Sequence, residues 1–138
     1  MIHTLEDCRL FEFPKIPDPR GNLTFVEGGD HVPFHIERVY WIYAVPGGEK
    51  RGGHAYRALH EVIIAISGSF EVHLNDGRRR RVDVLSRGYR GLYVPNMIWR
   101  ELENFSTNAV CLILASARYS EADYVRDEGD FAAMQEGR

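Results

Sequence analysis

The chain is a succession of short runs rich in β-branched and aromatic residues, each ended within a few positions by Gly, Pro, Asn or Asp. That spacing leaves little room for long helices and fits an all-β sandwich or jelly-roll barrel. Phe11-Glu12-Phe13 reads as a short first strand that stops at Pro14, and Asn22 to Glu27 follows the turn Asp18-Pro19-Arg20-Gly21. Further strands are expected over Arg38 to Val45, which breaks at Pro46-Gly47-Gly48, over Glu61 to Ser67 and Phe70 to Leu74 around Gly68, and over Arg80 to Leu85. Gly91 to Val94, Trp99 to Glu103 and Ala109 to Ala115 complete the set. The tail differs. Ser120 suits the N-cap of a helical turn, and Asp127 to Gln135 predicts a short C-terminal helix with Phe131 and Met134 on one side.

At 138 residues, 44% of them hydrophobic, the chain suits one domain, residues 1–138, around one core. No apolar run approaches the roughly 20 residues of a membrane-spanning helix. The N-terminus lacks the basic-then-apolar order of a signal peptide, so a cytoplasmic protein is expected. Cys8 and Cys111 lie far apart in no metal-binding spacing and read as buried thiols in a reducing compartment. A net charge of −3 gives no general pull toward nucleic acid. The one basic run, Arg78 to Arg81, follows the hairpin-turn signal Asn75-Asp76-Gly77 and reads as a solvated strand edge rather than a polyanion site. The first strand, Leu10 to Pro14, is short and apolar, and an edge of that kind pairs readily with a second copy, so a dimer is expected.

Several side chains carry possible chemistry. His54 and Tyr56 are two apart, so a strand projects both from one face, an imidazole beside a phenol. Imidazole is the side chain best matched to proton transfer near neutral pH. Tyr56 suits holding a substrate, orienting His54 or donating a proton, and equally suits aromatic packing. Glu61 follows across the turn at Leu59-His60, either paired with an arginine in the pocket or solvated, and His60 itself reads as exposed. Arg100 points inward if Trp99 faces the other way, and a buried arginine needs an anionic partner or several acceptors. Arg20 and Arg51 are planar bidentate donors suited to a diphosphate. Along Tyr40, Trp41, Ile42 and Tyr43 one alternating set should face a pocket and the other a core or partner chain. The sequence does not say which.

Residues 47–68 read GGEKRGGHAYRALHEVIIAISG and residues 95–104 read PNMIWRELEN. Together they resemble the two cupin motifs, a His-x-His with a later Glu between glycines and a Pro…His-x-x-x-Asn. Two of the four usual ligand positions are changed, Tyr56 standing at the second His and Arg100 at the last. A guanidinium has no lone pair to offer and repels a divalent cation, so no metal and no other cofactor is expected.

The chain as a whole resembles the dTDP-sugar 3,4-ketoisomerases, the WxcM-like or FdtA/QdtA-type cupins. The resemblance runs through Asp18 to Leu23, Arg38-Val39-Tyr40, Arg51 to Ala55 and Gly91-Leu92-Tyr93-Val94-Pro95. It continues through Trp99, Asn104-Phe105-Ser106, Leu114-Ala115-Ser116 and Asp123-Tyr124-Val125-Arg126. It implies a cupin-type jelly roll, a homodimer with strand exchange, and a nucleotide-linked sugar substrate, usually dTDP-4-keto-6-deoxyglucose. The implied reaction moves the carbonyl from C4 to C3 through an enediol with side-chain acid/base groups. Carried over, His54 matches the first His of the family's His-Ala-His and is the expected proton shuttle, with Tyr56, Arg100 and Tyr40 grouped around the chemistry. Arg51 matches a diphosphate contact and Arg20 a position near the sugar, with Glu61 and Tyr93 as further substrate contacts. Arg100 matches a position that holds His in galacto-product enzymes and Arg in gluco-product ones. A related nucleotide-sugar epimerase or isomerase, and a catalytically quiet sugar-nucleotide-binding cupin, are the alternatives.

Overall fold

The computed structural model describes residues 2–136. The apolar run Val62 to Ala65 forms a strand with both faces buried, β6 (Glu61–Ser67), which therefore needs cover on two sides. It gets neighbours from β9 (Arg90–Val94) and β11 (Val110–Ala115), all antiparallel. Adding β1 (Leu10–Glu12) and β4 (Arg38–Tyr43) at the edges gives a five-stranded sheet ordered β1-β9-β6-β11-β4. A second five-stranded sheet has the order β12-β5-β10-β7-β8. Its strands are β5 (Arg51–Tyr56), β7 (Phe70–Asn75), β8 (Arg80–Leu85), β10 (Trp99–Glu103) and β12 (Tyr124–Val125). A small hairpin of β2 (Lys15–Ile16) and β3 (Leu23–Thr24) stands apart.

The two sheets face each other across one core. Ile63, Ala65, Leu92, Cys111 and Ile113 from the first meet Phe70, Val72, Leu74, Leu85 and Leu102 from the second. The outer face of the first sheet carries a second cluster, in which Val62, Ile64 and Leu114 are covered by Phe13, Val32, Phe34 and Ile36. The outer face of the second is covered by α1 (Glu128–Gln135), capped by the Asp127 side chain accepting from the Asp130 N–H at 2.9 Å. Phe131 is fully buried there against Trp99, the ring centroids 5.9 Å apart, a burial worth about 1.5–3 kcal/mol. Because Trp99 faces the helix, Arg100 faces the interior.

Three expectations change. Asn22 to Glu27 is a strand only at Leu23–Thr24, because beyond Thr24 no neighbour is alongside and the Glu27 N–H donates instead to His31 Nδ1 at 2.8 Å. Met134 is 44% exposed while Phe131 is buried, so the helix presents one anchor rather than two. Ser120 precedes a short 3-10 turn, Glu121–Asp123, without a side-chain capping bond. The Arg78 to Arg81 run lies where expected, on the hairpin into edge strand β8. Its turn is held by the buried Asp76 carboxylate, which accepts from the Arg78, Arg79 and Leu5 N–H groups. Among the described residues no helix is long and apolar enough to cross a membrane.

Candidate active site

A cavity of about 490 Å³ opens between the sheets where β4 edges the first and β5 and β12 edge the second. Its shape depends on Gly52 and Gly53. Arg100 on β10 pairs with His54, but the next residue, Glu101, pairs with Gly52, so Gly53 is an extra residue in β5. Both glycines have positive φ, 86° and 71°, which side chains rarely adopt. A Cβ at Gly52 would also lie 3.2 Å from the Arg100 carbonyl oxygen. The bulge shifts the alternation by one. Arg51, three residues before His54, then shares its face, opposite Leu102 as His54 is opposite Arg100. Arg51, His54 and Tyr56 thus all line the cavity.

At its floor lies a buried ion pair. Arg100 and Glu61 are 2% and 1% exposed, and Arg100 Nη1 donates to Glu61 Oε1 at 2.6 Å. The guanidinium also donates to the Ile98 carbonyl at 3.1 and 3.3 Å. The other Glu61 oxygen accepts a short hydrogen bond from the Tyr40 hydroxyl. Both carboxylate oxygens are therefore engaged. Tyr40 Oη lies 3.4 Å from Tyr56 Oη, and Tyr56 donates to Tyr124 Oη at 3.2 Å. Burial and the Glu61 charge push the Tyr40 and Tyr56 phenols well above the ordinary range, so both hold their protons.

His54 stands over this floor with its ring 4.8 Å from Tyr56 and 5.1 Å from Tyr124. Both ring nitrogens are buried and make no well-formed hydrogen bond, the Gly52 backbone being the polar group that faces the ring. Burial, followed by the Arg100 charge, lowers its pKa from 6.5 to about 3, so the imidazole is neutral near pH 7. A neutral imidazole that lines a cavity keeps a nitrogen lone pair, the chemical requirement for accepting a proton. Among the described residues no three His, Cys, Asp or Glu side chains gather as a metal site.

The site residues anticipated from sequence divide into two groups. The structure brings together His54, Tyr56, Arg100, Tyr40, Glu61 and Arg51. It does not bring Arg20 or Tyr93 to this cavity. Arg20 is exposed beside the β2–β3 hairpin, its guanidinium paired with Asp18 at 2.9 and 3.0 Å. Leu92 and Val94 point into the core, which turns Tyr93 to the outer face, stacked 5.5 Å from Phe11. The Tyr93 hydroxyl meets His60 Nδ1 at 2.6 Å, and His60, expected to be exposed, is half-buried by that contact. On β4, Tyr40 and Ile42 face inward while Trp41 and Tyr43 are 57% and 65% exposed. Tyr124, Arg126 and Lys50 also line the cavity, the first two from a string that carries the family resemblance without a site role of its own. Their signal was available: in Tyr124-Val125-Arg126 the outer residues share one face, and the apolar middle one packs against α1.

Known proteins resemble this chain in sequence and in fold. The family described as FdtA, WxcM-like, C-terminal, matches residues 6–136. A TDP-4-oxo-6-deoxy-alpha-D-glucose-3,4-oxoisomerase from Aneurinibacillus thermoaerophilus is 39% identical over 123 residues, 89% of this chain and 88% of that protein. The crystal structure of a His-to-Asn variant of the 3,4-ketoisomerase QdtA from Thermoanaerobacterium thermosaccharolyticum, in complex with TDP-4-keto-6-deoxyglucose, superimposes with a TM-score of 0.95 at 34% identity, covering 98% of both chains. WlaRB, a TDP-quinovose 3,4-ketoisomerase from Campylobacter jejuni, superimposes with a TM-score of 0.88 at 39% identity over 93% of this chain and 98% of that one. With a match over nearly its whole length and the same fold, the chain belongs to the FdtA, WxcM-like family.

Proposed function

We propose that this protein is a single-domain, homodimeric ketoisomerase that moves the carbonyl of a TDP-linked 4-keto-6-deoxyhexose, TDP-4-keto-6-deoxyglucose first among them, from C4 to C3. The observation that carries the reading is His54, neutral and without a side-chain partner, over a cavity walled by phenols and floored by the Glu61–Arg100 pair. A carbonyl acidifies the adjacent C–H, and one base on one face can remove the proton at C3 and return it at C4. Of the relatives named above, one is a TDP-4-oxo-6-deoxyglucose 3,4-oxoisomerase and another is a 3,4-ketoisomerase crystallised with TDP-4-keto-6-deoxyglucose.

The other residues fit this chemistry. Arg100 and Glu61 satisfy each other, and Glu61 holds the Tyr40 hydroxyl, so the floor is fixed before substrate arrives. Arg51 and Lys50 give the cavity a cationic rim suited to a diphosphate. Of the two products, the match of Arg100 to the family's gluco-product position favours the gluco one. A second copy suits the open apolar edge: Val39, Trp41 and Tyr43 on β4 are 47%, 57% and 65% exposed in a row. Arg20 serves the sugar only if that copy carries its hairpin to the cavity. Cys8 and Cys111 are free buried thiols, which suits the cytoplasm.

The test is incubation of the purified protein with TDP-4-keto-6-deoxyglucose and identification of the product by NMR. The 3-keto isomer is expected. Recovery of unchanged substrate despite tight binding would make the protein a sugar-nucleotide-binding module instead.

A further inference from the structure

Two tyrosines flank His54, and they are not equivalent. Tyr56, which takes the place of the second motif histidine, is 1% exposed, and its hydroxyl is spent on Tyr124. Tyr124 is half-buried at the cavity wall, tilted against the His54 ring at 5.1 Å. The Arg126 guanidinium sits 4.0 Å from the Tyr124 ring centroid and is clamped by Glu121 at 2.6 and 2.9 Å. The segment carrying Tyr124 is pinned to the barrel. Asp123 accepts from the Ala58 and Leu59 N–H groups at 2.9 and 3.1 Å, and Arg57 donates to the Tyr124 carbonyl at 2.7 Å. The Tyr124 oxygen accepts from Tyr56 and faces the Arg38 guanidinium, two donors that leave its own O–H to point elsewhere, and the ring stands between the His54 cavity and a second one lined by Arg38 and Tyr56.

From this we infer that Tyr124 is the catalytic residue that exchanges a proton with the sugar oxygens, and that Tyr56 is a positioning residue acting through it. The inference rests on the isomerase reading and names the group that does the work of the missing histidine. The step balances. His54 takes the C3 proton, the C3–H electron pair becomes the C3=C4 bond, and the C4 carbonyl oxygen takes the Tyr124 proton. The enediol then gives its O3 proton to the Tyr124 phenolate, O3 forms the new carbonyl, and the C3=C4 pair takes the proton from His54 at C4. Both residues end as they began. The Tyr56 hydroxyl and the Arg38 and Arg126 cations stabilise the phenolate while it exists.

The test compares Tyr124→Phe and Tyr56→Phe with the wild type, using TDP-4-keto-6-deoxyglucose as substrate and TDP as the binding probe. Tyr124→Phe should lose about 100-fold or more in kcat, the usual worth of a positioned acid, with TDP affinity unchanged. Tyr56→Phe should lose about 10-fold, the worth of one hydrogen bond, and the alkaline limb of its pH profile should move to higher pH as the phenolate loses a donor. A merely structural role for Tyr56 would not move that limb. Should Tyr124→Phe not fold, difluorotyrosine at position 124 keeps the ring and lowers the phenol pKa, so it should move the alkaline limb to lower pH. Wild-type kcat in Tyr124→Phe, or an unmoved limb with difluorotyrosine, overturns the inference. So does a Tyr56→Phe protein that is inactive while Tyr124→Phe turns over. A wild-type protein that does not isomerise the sugar at all refutes the isomerase reading itself, which separates the two failures.

Discussion

Arg100 and Glu61 form an ion pair at 2.6 Å with almost no exposure, and each has further partners, Ile98 for the guanidinium and Tyr40 for the carboxylate. Such a pair contributes little net stability when whole and much instability when halved, because the survivor is a buried uncompensated charge. Arg100→Met should therefore destabilise the fold by about 3–5 kcal/mol in urea titration. Arg100→Met with Glu61→Gln should recover a substantial part of that loss. A loss of under about 1 kcal/mol in the single variant would mean the pair is solvated, contrary to its burial.

Stability should also report His54. Its pKa is lowered from 6.5 to about 3 by folding, so between those values the unfolded chain binds the extra proton. Stability therefore falls as pH drops from 6.5 toward 3 and is unaffected by this group above that window. His54→Asn should flatten the wild-type decline by on the order of a few kcal/mol by pH 3.5. Parallel curves for the two proteins would show that the imidazole is not desolvated.

Arg51 is exposed at the rim, so its loss should spare the fold and weaken the ligand. Arg51→Ala should cost roughly 1.5–3 kcal/mol in TDP binding by calorimetry, the worth of a charge-assisted hydrogen bond. Unchanged TDP affinity would remove Arg51 from the diphosphate contacts.

The exposed row on β4 makes dimerisation testable. The protein should sediment as a dimer at micromolar concentration, and Trp41→Asp should shift it toward monomer by placing a charge in the apolar contact. A monomeric wild type would leave that row as plain surface.

The sequence displayed the strands well because alternation and turn residues are local signals. The inward Arg100 followed from Trp99 once one of the two was known to face out. The shared face of Arg51 and His54 is harder, since plain alternation separates residues three apart. The adjacent glycines Gly52 and Gly53 were the clue to a bulge, but which strand register they interrupt is a tertiary fact. Tyr93 lies away from this cavity for the converse reason: its string resembles the family's, yet Leu92 and Val94 claim the inner face. Tyr124 and Arg126 lie far along the chain from His54, and only the pairing of β12 with β5 brings them to the cavity.

The central claim, that His54 carries the proton between C3 and C4, is tested most directly by deuterium. Wild-type protein and His54→Asn are incubated with TDP-4-keto-6-deoxyglucose in deuterated water and followed by NMR. The account predicts 3-keto product for the wild type, with protium at C4 where His54 returns the C3 proton and deuterium only where that proton exchanges first, and neither product nor label for His54→Asn despite retained TDP binding. Isomerisation by His54→Asn at the wild-type rate would contradict it.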